Sequence, residues 1–132
     1  MGWHHQLLTF GHHFYIRRIM EQEQIIAALA ALAQENRLET YRLLVQAGPS
    51  GMPAGEVAAR LRIAPNTLSF HFDRLRHAGL VSVKRQGRSL IYSARYDTMN
   101  ALIGYLTENC CGGSPELCKP GRRVVTRRKE TV

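Results

Sequence analysis

Between Pro65 and Ala94 the apolar period of the chain changes once, and that change limits what the remainder can fold into. Leu68, Phe72 and Leu75 recur at i, i+4 and i+7, which places them on one stripe of a helix. Pro65 suits the first turn of that helix, where a backbone N–H is not needed, and Gly79 supplies its stop. Directly afterwards "LVSVKRQGRSLIYSAR" reads as two strand-like runs around a turn at Gln86–Gly87. Val81 and Val83 share a face there, as do Leu90 and Tyr92. A helix that runs straight into a hairpin is thus fixed, and the hairpin's tip is basic, with Lys84, Arg85 and Arg88.

Upstream the spacing is helical. Ile26, Leu29 and Leu32–Ala33 form one stripe; Leu38, Tyr41 and Leu44–Val45 form a second, which ends at Gly48–Pro49. Asn36 stands where its side chain can cap the second helix. "AGEVAARL" predicts a short third helix with Val57, Ala58 and Leu61 on one face. Downstream, Met99, Leu102, Ile103 and Leu106 line one side of a last helix, from about Asp97 to Asn109. Helix, helix, short helix, turn, helix and basic hairpin is the order of a winged helix-turn-helix, a mainly α fold with one β-hairpin (α+β).

A chain of 132 residues supports one core of this kind. Residues 20–109 form the domain. Residues 1–19, with His4–His5 and His12–His13 but no sustained period, are expected to be a flexible leader. The basic tail, 119–132, is expected to be solvated. No apolar run approaches the roughly 18–20 residues that span a bilayer, and the N-terminus does not read as a secretory signal. No membrane partner is expected. Three cysteines, an odd count, argue against a closed disulfide framework and for a reducing cytoplasm.

The formal charge of +8 favours a polyanionic partner. On the fourth helix Asn66, Thr67, Ser69, Phe70, His71, Arg74 and His77 all avoid the inward stripe. Amide, hydroxyl and guanidinium groups bond to base edges and phosphates, and a major groove admits one such helix. A Thr methyl or a Phe ring can meet a thymine methyl. Alone, such a polar face is an ordinary solvated surface. Followed by a wing whose Lys84, Arg85 and Arg88 reach neighbouring phosphates, it points to double-stranded DNA.

These residues also resemble a family. "APNTLSFHFDRLRHAGLVSVKRQGRSLIYS" is similar to the recognition helix and wing of the ArsR family, the ArsR/SmtB arsenical-resistance and metal-responsive repressors. "ALAQENRLETYRLL" resembles the family's early Leu-Ala-x-x-x-Arg-Leu pattern, here Leu32, Ala33, Arg37 and Leu38. The resemblance runs from about residue 24 to 111. It implies a homodimer, with the first and last helices between subunits, that represses its own resistance operon until a metal ion binds. One departure matters. Many members carry a Cys-x-Cys sensor on the third helix, whereas "GMPAGEVAARL" has no thiol. A subgroup of the family ends its last helix with "ENCC", as this chain does.

Every thiol lies in "ENCCGGSPELC", as Cys110, Cys111 and Cys118. Soft thiolates select soft ions. Structural zinc typically wants four ligands, and residues 100–132 offer three thiols and no His. Trivalent arsenic, or antimony, places a lone pair in one position and takes three sulfurs, so As(III) fits the inventory as inducer. Neighbouring residues on a regular helix point about 100° apart, so Cys110 and Cys111 converge only where the helix breaks. Gly112–Gly113 permits that break and Ser114–Pro115 turns the chain back, making 110–118 a sensor loop. Lys119, Arg122 and Arg123 would favour the thiolates.

Other readings of the thiols stay open: incidental cysteines, or a disulfide switch in a redox-responsive DNA binder. A small thiol-dependent arsenate reductase is disfavoured, since no oxyanion loop or general acid accompanies the cysteines. No enzyme activity and no catalytic residue are expected.

Overall fold

The structure, a computed structural model, describes residues 21–113. Helix α1 covers residues 21–32 and is followed by α2, Glu35–Ala47. A short strand β1, Met52–Pro53, leads into α3, Ala54–Leu61, and after a tight turn α4 runs over Pro65–His77. Strands β2, Val81–Gln86, and β3, Ser89–Ala94, make the hairpin, and α5 is Tyr96–Thr107. The sheet order is β1-β3-β2, antiparallel throughout.

The inward stripe of α4 holds the core. Leu68, Phe72 and Leu75 are buried together with Leu44 of α2, Val57 of α3, and Leu80 and Val81 at the start of the wing. Phe72 stacks on Tyr92 of β3, ring centroids 3.7 Å apart and 5° from parallel. That contact fixes the pose of the fourth helix relative to the hairpin, at about 0.5–1.5 kcal/mol beyond simple area burial. The end of α4 is closed by two bonds, Gly79 N–H to the Arg76 carbonyl (2.9 Å) and Leu80 N–H to the Leu75 carbonyl (3.0 Å). These satisfy carbonyls that a helix end otherwise leaves bare, and they send the chain directly into β2.

Several local expectations shift. The cap of α2 is Gln34, whose side chain accepts the Arg37 N–H at 2.9 Å. Asn36 instead lies inside the helix, where its carbonyl accepts from Thr40 Oγ1 at 2.7 Å. The break between α1 and α2 falls at residues 33–34, so the second helix starts before Asn36. In the hairpin Gln86 pairs with Ser89, which makes Gly87–Arg88 the two-residue turn. Gly87 has φ +59 and Arg88 is not in the positive region, the pattern of a type II′ connection. Helix α5 starts at Tyr96 and ends at Thr107, two residues short of Asn109.

The outer helices differ more. Helix α1 turns Ile25, Ala28 and Ala31 inward and leaves Ile26 and Leu29 exposed. Helix α5 buries Leu102 but exposes Ile103 and Leu106, the latter at 60%. Each helix has two apolar flanks, and one chain's core can take only one of them. The base of α5 is fixed firmly: Tyr96 Oη donates to the Val45 carbonyl (2.9 Å) and Thr98 Oγ1 to the Gly79 carbonyl (2.7 Å). Among the described residues no helix is long and apolar enough to cross a membrane.

Candidate nucleic-acid interface

Helices α3 and α4 meet through a turn that relies on one unusual residue. Arg62 adopts the left-handed conformation (φ 53, ψ 43), and the next N–H, of Ile63, donates to the Ala58 carbonyl at 3.1 Å. The chain then enters α4 at Pro65, and Leu68 N–H closes the first turn on the Ala64 carbonyl (2.9 Å). With Leu68, Phe72 and Leu75 committed to the core, helical geometry puts Asn66, Thr67, Ser69 and Phe70 on the surface. Phe70 is 66% exposed, a large apolar ring held in water, with the Arg74 guanidinium 5.8 Å from its centroid. Such a ring and cation form a surface suited to sugar and base contacts.

His71 does not share that outward face. It is half-buried on the flank of α4 that meets α1 and α2, and its buried Nδ1 has no hydrogen-bond partner among the described residues. Burial first, and the nearby Arg37 second, hold its pKa below the usual histidine value. His77 Nδ1 lies 2.6 Å from the Asp73 carbonyl; a carbonyl only accepts, so Nδ1 carries the proton. Arg37 donates from Nε to the Ala31 carbonyl at the end of α1 and so ties the two helices together. The Leu-Ala-x-x-x-Arg-Leu pattern flagged Arg37, but nothing in its spacing indicated that it would stand beside His71.

The wing presents its cations on separate sides. Val83 and Arg85 lie opposite Tyr92 and Leu90, while Lys84 lies opposite Ile91 on the other face. Arg88 sits in the turn itself. All three are exposed, and none joins an ion pair among the described residues. The hydroxyls of Ser82 and Ser93 meet at 3.0 Å across the strands and support the base of the hairpin. The fourth helix and the hairpin are thus joined directly, through the Phe72–Tyr92 stack.

The thiol segment begins where α5 stops. Glu108 is extended (φ −55, ψ 125) and Asn109 is left-handed (φ 54). A short turn over Cys110–Gly113 follows, with Cys111 itself at φ 56, ψ 28. The helix thus breaks before the cysteines, at Glu108–Asn109, four residues ahead of the Gly112–Gly113 pair. Cys110 and Cys111 are half-buried. Cys118 lies outside the described residues, as do the basic tail with Lys119, Arg122 and Arg123, and the leader with its histidine pairs. Among the described residues no three His, Cys, Asp or Glu side chains cluster as a metal site would require.

Comparison with known proteins fits this arrangement. A helix-turn-helix domain profile matches residues 32–84. The chain is 35% identical over 97 residues to the uncharacterized HTH-type transcriptional regulator YceK of Bacillus subtilis, covering 70% of this chain and 96% of that protein. Among solved structures it is similar to an ArsR-like transcriptional regulator from Rhodococcus sp. RHA1, with TM-score 0.60 and 25% identity, over 73% of this chain and 88% of that one. It also shares its fold with a homodimeric winged helix-turn-helix DNA-binding domain from Mycobacterium bovis, with TM-score 0.57 and 23% identity, over 74% of this chain and 91% of that one.

Proposed function

Because the chain belongs to the ArsR-type winged helix-turn-helix transcriptional regulators, we propose that it represses an arsenic-resistance operon and leaves its operator when trivalent arsenic binds Cys110, Cys111 and Cys118. The relatives are named as transcriptional regulators, so the protein is a DNA-binding regulator and not an enzyme. What goes further is the signal. The observation that carries it is the confinement of every thiol to one segment at the end of α5, with none on α3. The early break of the helix supports it: left-handed Asn109 and Cys111 free the two neighbouring thiols from the 100° divergence of a regular helix. Cys118 would supply the third sulfur, and antimony would fit the same three donors.

The functional unit in this reading is a homodimer. Ile26 and Leu29 of α1, with Ile103 and Leu106 of α5, are exposed apolar side chains on the two outer helices. A second copy covers such flanks in an isologous interface. Two recognition helices then meet successive major grooves about 34 Å apart, a match that a small rotation between subunits spoils. A coupling free energy of about 1–3 kcal/mol between ion and operator shifts DNA affinity some 5–150-fold, and it is reciprocal.

Fluorescence anisotropy of the operator complex, titrated with arsenite, tests the reading. Release of the wild type and retention of the Cys110→Ser/Cys111→Ser/Cys118→Ser variant are expected; equal release of both would remove the thiols from the mechanism. X-ray absorption on the loaded protein should find three sulfur neighbours. Mild peroxide separates the redox alternative, in which DNA release accompanies a loss of two mass units without any arsenical.

A further inference from the structure

Between α1 and α4 lies an open cleft of about 500 Å³ whose walls differ sharply in character. Alanine side chains of α1 form one wall. Phe70, His71, Arg74 and His77 of α4, with Arg37 from the start of α2, form the rest. Among the described residues no carboxylate lines it; Asp73 lies in the adjoining groove, which Phe70, Arg74 and His77 also line, 3.7 Å from Arg76. Arg37 uses its Nε on the Ala31 carbonyl, and neither Arg37 nor Arg74 joins an ion pair among the described residues. Among the described residues the buried His71 Nδ1 has no hydrogen-bond partner there.

We propose that this cleft is a phosphoryl site, in which Arg37 and Arg74 together hold a backbone phosphate of the operator while His77 and His71 complete the cradle. Guanidinium forks match the oxygens of a phosphate in pairs, and charge-assisted bonds of this kind are roughly twice as strong as neutral ones. The alanine wall leaves room that bulkier side chains would fill, and the Phe70 ring at the rim gives a deoxyribose an apolar surface. The volume suits a nucleotide-sized segment better than a bare ion. Its position favours DNA as the source, because three of its side chains belong to the exposed part of the recognition helix, beside the strand that borders an occupied groove. Arg37 and His77 thereby enter the interface without reading bases. The inference rests on the DNA-binding reading and is independent of the arsenic one.

Binding to operator and to an unrelated duplex is measured by anisotropy at several salt concentrations, without any arsenical. Each neutralised phosphate contributes about 0.9 to the slope of log affinity against log salt. Arg37→Gln and Arg74→Gln are each expected to flatten the slope by up to that amount and to weaken both duplexes by the same factor. The double variant should flatten the slope by no more than about 0.9 in all, because one phosphate is shared. Arg60→Gln, whose guanidinium is already paired with Glu56 at 2.8 Å, should leave the slope unchanged. Should Arg37→Gln fail to fold, Arg37→Lys keeps the charge and should keep the slope, and Arg74→Gln carries the test alone.

Inorganic phosphate, titrated into the DNA-free protein and followed through the imidazole NMR signals of His71 and His77, distinguishes the source. Weak saturable binding that is lost in Arg74→Gln and competes with DNA supports the assignment. Tight phosphate binding with unaltered salt slopes would make a free small anion the occupant and overturn the DNA assignment. Unaltered slopes with no phosphate response would remove the site altogether. If the wild type binds neither duplex, the fault lies with the DNA-binding reading itself.

Discussion

Gly51 is the position at which one added carbon should do most damage. It has φ +72, and a Cβ there would lie 2.3 Å from the Tyr92 carbonyl oxygen, 3.0 Å from its carbon and 3.1 Å from Ile91 Cγ2. The nearest atoms are backbone, so no side chain can swing aside. The left-handed conformation alone costs a non-glycine residue about 1–2 kcal/mol. Relief of the clash requires β1 to move away from β3, which loosens the Met52–Tyr92 pairing and disturbs the Tyr92 ring against Phe72. Together the two effects place Gly51→Ala at about 3–4 kcal/mol, among the large single-site losses. For a domain of this size that is a fall of roughly 12–32 °C in melting temperature.

Gly55→Ala is the control, since a Cβ at that helical position meets nothing within 4 Å. It should be neutral or stabilising by up to about 1 kcal/mol. Urea denaturation of both variants at one protein concentration provides the assay, since any association between copies would add to the measured stability. A Gly51→Ala protein within about 1 kcal/mol of wild type would refute the reasoning, and with it the claim that β1 is held tightly against the wing.

Three further outcomes are expected. Arg62→Gly should stabilise the domain by about 0.5–1 kcal/mol, read as a higher urea midpoint, since relief of a left-handed arginine outweighs the added chain entropy of glycine. His71 has a lowered pKa in the folded protein, so its neutral form favours folding: that contribution is complete above the ordinary value of 6.5 and is lost as pH falls below it. The urea midpoint should therefore drop from pH 7.5 to 5.5, and His71→Gln should reduce the drop. Leu106→Glu adds a charge to an exposed flank, so one chain should fold almost unperturbed, while sedimentation should show dimer dissociation at least tenfold stronger than wild type.

How far the sequence disclosed this molecule depended on whether local chemistry or a distant contact decided each feature. Helix α3 matches "AGEVAARL" residue for residue, and the Leu68–Phe72–Leu75 stripe is the core stripe, because Pro65 and period alone determine both. The hairpin turn slipped by one residue because Gln86 can serve equally as strand or turn, and only pairing with Ser89 decides. On α1, small Ala28 and Ala31 proved to be the inward residues, whereas larger Ile26 and Leu29 dominate any hydrophobicity reading. The cleft was illegible for the same reason: Arg37 and His71 are 34 positions apart, and only packing of α1, α2 and α4 brings them together.

Helix α5 has the mechanics of a cantilever. Its root is bolted by Tyr96 to the end of α2 and by Thr98 to the Gly79 carbonyl, the joint where recognition helix gives way to wing. Beyond Leu102 the described residues offer it little purchase, and Cys110 stands only three residues past its last residue, Thr107. A load applied at the far end is therefore felt as torque at the fixed end, beside the junction of the fourth helix and the hairpin.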